Sequence, residues 1–256
     1  MSEANYQEQN SPRYPKITID LSKITHNTCL AADACHKYGI RLIGVTKACL
    51  GSPQVALAML AGGAAGLGDS RIENLAALRS AGIEVPLTML RLPMKSEVEA
   101  VVSLSDISLN SDMEVIFALG RAAVGINRTH RIVVMIDTGD GREGVAPEAA
   151  IPFIRDAGRI SGIEVAGVGT NFTCLRGKAP DKENLSVLAG IAGQAAEEIG
   201  PNGITVSGGN SSAWNMLRDG RIPPEVNELR MGEALLLGRE TARGELIEGF
   251  CHDAFA

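Results

Sequence analysis

The strongest constraint on this chain is a rhythm. From Lys16 onward, short runs rich in β-branched and aliphatic residues alternate with longer stretches in which apolar residues recur three and four apart. That is the pattern of repeated strand–helix units and of a parallel sheet. The strand-like runs fall at Arg41–Thr46, Ala65–Leu67, Leu87–Arg91, Ile107–Leu109, Arg131–Asp137, Glu164–Gly169, Ile204–Ser207 and Glu228–Arg230. Roughly eight such units is the number that closes a sheet into a (β/α)8 TIM barrel. Helical patterns lie between them at Pro53–Ala61, Glu97–Val102, Pro147–Arg155 and Glu183–Ala192. Gly39, Gly62, Gly82, Gly162 and Gly200 stand where left-handed C-caps would end helices. An open doubly wound sheet is the alternative α/β fold, but no Gly-x-Gly-x-x-Gly turn follows the first strand, and polar clusters recur after many strands. The expectation is one barrel over residues 16–244. We also expect a flexible tail over residues 1–15 and an extra strand, Lys16–Leu21, outside the barrel.

Composition narrows the function. A chain of 256 residues that is 45% hydrophobic can bury one large core. A net charge of −6 and the lack of any long basic stretch argue against nucleic acid as a partner. The polar, acidic start has no signal-peptide pattern and no apolar run is long enough to span a bilayer, so we expect a cytoplasmic protein with a small-molecule substrate and no membrane partner. Cys29, Cys35, Cys49, Cys174 and Cys251 are odd in number, scattered and without paired metal-ligand spacing, which reads as reduced thiols and no metal.

In a barrel the loops after the strands build the active site. The run Ile40–Lys47 delivers a lysine amine at a strand end. If it is shielded from water there, desolvation would favour the neutral amine that carbonyl chemistry needs; otherwise the side chain simply snorkels to the surface. Ser207-Gly-Gly-Asn-Ser-Ser212 follows the seventh strand, and Arg230-Met-Gly-Glu opens the loop after the eighth. Small residues there let backbone N–H groups converge on a phosphate, with the Ser211 and Ser212 hydroxyls as further donors. The fifth strand ends in Asp137-Thr-Gly-Asp-Gly-Arg142-Glu-Gly144 and the sixth in Gly169-Thr-Asn171-Phe-Thr-Cys174. Arg142 and Arg230 are fork-shaped donors suited to phosphate and phenolate oxygens.

Together, Lys47 in Val-Thr-Lys-Ala and these four later motifs resemble the alanine racemase fold-type of pyridoxal-phosphate enzymes, and its ornithine/lysine racemase branch in particular. The resemblance runs from about Lys16 to the C-terminus. It implies a barrel of the alanine racemase N-terminal domain type, in which Lys47 holds pyridoxal 5'-phosphate as a Schiff base. Arg142 would lie near the phenolic oxygen. Asn171 takes the place of a ring-packing histidine, Ser211 with the backbone of Gly232 and Glu233 binds the phosphate, and Arg230 faces the pyridine nitrogen. The implied activity is racemisation of a basic amino acid such as ornithine or lysine, by removal and return of the Cα proton, in a homodimer. In alanine racemases the second acid/base is a tyrosine from a C-terminal domain. Here Tyr6, Tyr14 and Tyr38 all lie near the N-terminus, and residues 245–256 resemble the approach to a domain that does not follow. Either the chain is truncated or the second group comes from the barrel loops, where Cys174 and Asp140 are the candidates. Asp69, Glu73, Asp140 and Glu143 are candidates for the distal ammonium of the substrate, although Asp69 also suits a helix cap. Two other readings stand beside the racemase. One is a non-catalytic pyridoxal-phosphate carrier for cofactor homeostasis, which the chain length favours; the other is a barrel without cofactor.

Overall fold

Alternation along each strand sends one set of side chains toward an outer helical layer and the other toward the barrel axis. In the computed structural model, which describes residues 16–174, 177–200 and 203–256, this produces eight parallel strands closed in chain order. They are β1 (Arg41–Val45), β2 (Gly66–Asp69), β3 (Leu87–Met89), β4 (Ile107–Asn110), β5 (His130–Met135), β6 (Ile163–Gly169), β7 (Thr205–Ser207) and β8 (Glu228–Met231). Each overlaps its predicted run. The ring closes where β1 pairs with β8, Arg41 opposite Glu228 and Ile43 opposite Arg230. The expected tail over residues 1–15 lies outside the described residues.

The helices are α1 (Leu21–His36), α2 (Pro53–Ala61), α3 (Ile72–Ser80), α4 (Val98–Leu104), α5 (Met113–Gly125), α6 (Ala150–Gly158), α7 (Lys182–Ile199), α8 (Trp214–Arg218) and α9 (Glu233–Leu237). Sequence sets several of their starts. The Asp20 carboxylate accepts the N–H of Ser22 at 3.0 Å and of Lys23 at 3.3 Å. Asp181 and Asn184 form a reciprocal capping box at the start of α7. Among the described residues, no helix is long and apolar enough to cross a membrane.

The main core lies between strands and helices. Leu42, Leu67, Leu87, Ile132, Val134, Val206 and Leu229 face the helices there, fully or almost fully buried. The axis holds a second apolar cluster of Ile107, Leu109, Val133 and Met135. On the β7–β8–β1 side it is polar instead, because Thr205, Ser207, Glu228, Arg230 and Arg41 occupy the alternate, inward positions.

Two expectations need correction. Gly62 ends α2 without a left-handed backbone (φ −81°), and the left-handed residue is Gly63 (φ +97°). A Cβ at Gly62 would lie 2.6 Å from the Thr25 carbonyl oxygen, so close approach to α1 explains its small size. The predicted extra strand shrinks to a short antiparallel contact outside the barrel, with a bridge between Ile19 and Phe255 and paired bonds between Thr18 and Ala256. The segment over 245–256 packs along α1, where the Asn27 amide donates to the carbonyls of Leu235 at 3.1 Å and Cys251 at 2.9 Å.

Candidate active site

At the carboxyl ends of the strands lies a cavity of about 220 Å³. Its wall brings together Lys47 after β1, Arg142 after β5, Asn171 and Cys174 after β6, Ser211 after β7, and Arg230, Gly232 and Glu233 at the end of β8. These residues span most of the chain, and the barrel converges them because every strand points its carboxyl end the same way.

Lys47 starts a short 3₁₀ turn, Lys47–Cys49, immediately beyond β1. It is exposed, so of the two readings of this residue the side chain that reaches water holds: the strand is buried, but the turn after it opens onto the mouth of the barrel. No hydrogen bond or ion pair engages its amine among the described residues. The backbone under it is held by Thr46, whose hydroxyl donates to Asp69 Oδ2 at 2.7 Å.

Asp69 is fully buried and its other oxygen accepts from Ser70 N at 2.7 Å, Arg71 N at 3.0 Å and Asn74 Nδ2 at 2.9 Å. Both oxygens are therefore committed to Thr46 and the start of α3, and Asp69 is not on the cavity wall. The substrate role expected for it gives way to a structural one. Asp140 is likewise buried and off the wall, with both oxygens 3.2 Å from the Cys174 amide nitrogen. Glu73 is exposed on α3, away from the cavity. Of the four carboxylates considered for the substrate, Glu143 is the one on the wall.

Arg230 is buried at 3% exposure and makes three hydrogen bonds through its two terminal nitrogens. It donates to Ser207 Oγ, to the Thr170 carbonyl at 2.7 Å and to Asn171 Oδ1 at 2.9 Å. Asn171 in turn donates to Glu143 Oε1 at 2.6 Å. Burial pulls the Arg230 guanidinium below the ordinary arginine range, against the pull of the Glu228 and Glu143 carboxylates. For Arg142 the balance is reversed. Partial burial works against its charge but is outweighed by the Cys174 side chain and by Glu143 and Asp140, which hold it above the ordinary range.

The loops after β7 and β8 meet at Ser211, whose Oγ accepts the N–H of Gly232 at 3.3 Å and of Ala234 at 3.1 Å. A Cβ on Gly232 would lie 3.2 Å from Val45 Cβ, a tight contact, so a small residue here suits the close approach of the β8 turn to β1. Beside Ser211, the buried Ser212 hydroxyl has no hydrogen-bond partner among the described residues, and it is not on the cavity wall.

The profile of the alanine racemase N-terminal domain matches residues 19–240. The chain belongs to this racemase family. It is 37% identical over 94% of its length to an ornithine racemase from Acetoanaerobium sticklandii, covering 68% of that protein. It is 37% identical over 94% of its length to a lysine racemase from Thermotoga maritima, again covering 68% of the relative. An alanine racemase structure from Streptomyces lavendulae superposes with a TM-score of 0.74 at 23% identity, covering 90% of this chain and 60% of that one, and shares the fold.

Within this racemase-family barrel, Tyr38 is exposed, and a Cβ built on Gly220 would lie 2.9 Å from its hydroxyl. Tyr6 and Tyr14 lie outside the described residues, so no described tyrosine lines the cavity. Several wall residues were not singled out in the sequence. Asn210 sat inside the Ser207–Ser212 motif, and Arg91 ended a predicted strand. Arg91 pairs with Glu97 at 3.1 Å and lines the cavity, with its Nε buried and unpartnered. Thr241 carried no signal at all.

Proposed function

We propose that this protein is a pyridoxal-phosphate-dependent racemase of a basic amino acid such as ornithine or lysine, working as a cytoplasmic homodimer. The observation that carries the reading is the convergence of Lys47, Arg142, Asn171, Ser211, Arg230, Gly232 and Glu233 on one cavity wall. The donor set fits the cofactor on its own terms. The Lys47 amine has no partner among the described residues, and Ser211 and Glu233 lie on the same wall beside the small-residue turn.

When bound, pyridoxal phosphate supplies an electron sink that makes the Cα proton of an amino acid removable. Lys47 provides the amine that anchors it and then takes or returns that proton on its own face. Ser211 already accepts two backbone N–H groups, which leaves its hydroxyl proton to donate to a phosphate oxygen. With the Gly232 N–H turned to Ser211, the backbone of Glu233 would complete that cup. Arg142 serves the phenolic oxygen. Arg230 would stand by the ring nitrogen with a group that does not release its proton, which would weaken the sink and favour quick return of the proton to Cα. Glu143 is the countercharge for the distal ammonium of the substrate. Of the two candidates for the second acid/base, Cys174 is the one on the wall.

The test is to load the purified chain with pyridoxal phosphate and incubate it with L-ornithine, L-lysine and L-alanine in D₂O. Cα deuteration is followed by NMR and the D-enantiomer by chiral chromatography. Deuteration with inversion on ornithine or lysine is the expected result. Cofactor binding with neither would make the protein a carrier, and a Lys47→Ala variant that still acquires the bound-cofactor absorbance would remove the premise of both.

A further inference from the structure

Among the described residues Arg230 has no carboxylate in direct contact, although it is buried at 3% exposure. A buried guanidinium without a countercharge is costly, so its compensation must come through an intermediary. The structure supplies one. Ser207 Oγ accepts from Arg230 and donates to Glu228 Oε1 at 2.8 Å. Ser207 and Glu228 are register partners across β7 and β8, and Glu228 and Arg230 are two residues apart on β8, so all three side chains point into the barrel together. The second Glu228 oxygen accepts from Arg41 Nη2 at 3.2 Å, and Arg41 also donates to Thr205 Oγ1 at 3.2 Å. Glu228 is itself 5% exposed. One continuous chain of hydrogen bonds therefore runs from Glu143 and Asn171 at the mouth, through Arg230, Ser207 and Glu228, to Arg41 at the opposite end of the barrel.

We infer that Glu228 is a positioning residue for the active site: by orienting the Ser207 hydroxyl, it fixes the Arg230 guanidinium and provides its buried countercharge. The inference rests on the proposed cofactor reading for its consequence but not for its geometry. The carboxylate can only accept, so Ser207 must spend its proton on Glu228 and turn a lone pair toward Arg230. A glutamine at 228 removes the charge and can donate to Ser207, which frees the hydroxyl to rotate away from its role as acceptor.

Two readouts test this, one without cofactor and one with it. In the cofactor-free protein, ¹⁵N NMR of the Arg230 side chain should show slowly rotating, dispersed Nη signals that collapse in Glu228→Gln and in Ser207→Ala. In the loaded protein, the pH midpoint of the bound-cofactor absorbance should fall by about half a unit to one unit in Glu228→Gln, because losing a negative charge disfavours protonation nearby. Affinity for pyridoxal phosphate should fall about tenfold. Ser207→Ala keeps both charges and should give a smaller fall of the same sign. It also serves if Glu228→Gln does not fold. Arg41→Met cuts only the far end and should lower stability without lowering the midpoint. Unchanged Arg230 signals in both Glu228→Gln and Ser207→Ala would overturn the inference, as would a midpoint lowered equally by Arg41→Met. If the wild-type chain takes up no pyridoxal phosphate, the proposed function falls while the NMR comparison still decides this link.

Discussion

Ser211 Oγ accepts the amide N–H of Ala234 at 3.1 Å, tying the loop after β7 to the first turn of α9 across 23 residues of chain. The same oxygen accepts from Gly232 at 3.3 Å. One hydroxyl thus shapes the turn that would receive a phosphate and keeps its own proton to offer. Ser211→Ala should destabilise the fold by about 1 kcal/mol for the lost buried bonds. It should weaken pyridoxal phosphate binding about tenfold or more, since hydrogen bonds to charged groups contribute roughly 1.5–3 kcal/mol. Absorbance titration with the cofactor measures the second effect, and affinity equal to that of the wild-type chain would remove Ser211 from the phosphate cup.

The barrel was legible because β-branched runs such as Arg131–Asp137 and Glu164–Gly169 recur between helical periods, and strand count, with polar clusters after many strands, then favours the closed fold. The convergence of Lys47 with Ser211 and Arg230 followed from that fold, since each lies at or just beyond the carboxyl end of a strand. What sequence could not show was which way a strand-end residue faces. Lys47 and Asp69 both stand at strand ends, yet one opens to the mouth and the other is sealed beneath it. That difference depends on Thr46 meeting Asp69 across β1 and β2, a contact between residues 23 apart. Glu228 was hidden for the same reason, because a carboxylate inside a strand acquires its meaning only from Ser207 and Arg41 on the neighbouring strands.

Asp69 gives a sharp stability test. Its carboxylate receives four hydrogen bonds while fully buried, and removing an acceptor leaves those donors unmet. Asp69→Ala should cost about 3–5 kcal/mol in urea unfolding, and Asp69→Asn less because one amide oxygen still accepts. A loss below about 1 kcal/mol for Asp69→Ala would mean these bonds are readily replaced.

Thiol reactivity should separate the five cysteines by environment. Burial pushes the Cys35 thiol up to about 12 and the Cys49 thiol, with help from the Asp69 charge, up to about 11. Both should resist alkylation in the native protein, since the thiolate is the reactive form. Cys29 and Cys174 are exposed and should label first, and only Cys174 lies on the cavity wall. Pyridoxal phosphate should therefore slow labelling of Cys174 and leave Cys29 unaffected, as followed by peptide mass spectrometry. Equal rates at Cys174 with and without the cofactor would place it outside the occupied volume.

His130 on β5 predicts how the fold responds to acid. It is buried at 2% exposure, with Nε2 2.8 Å from Ser108 Oγ. Burial, helped by the nearby Arg128 charge and slightly opposed by Asp106, lowers its pKa from 6.5 to about 4. The native state thus holds the ring neutral over a range where the unfolded chain already binds a proton. Stability from this group is fully present above about pH 6.5 and drains away as pH falls toward 4, by about 3 kcal/mol in all. Carboxylates add their own losses only lower down, so urea unfolding between about pH 6.5 and pH 5 isolates the histidine, with a slope near 1.4 kcal/mol per pH unit at its steepest. His130→Gln should unfold more easily at pH 7 and lose that slope. If wild type and variant share the same pH dependence in this window, His130 is accommodating its proton in the folded state and the buried, neutral assignment is wrong.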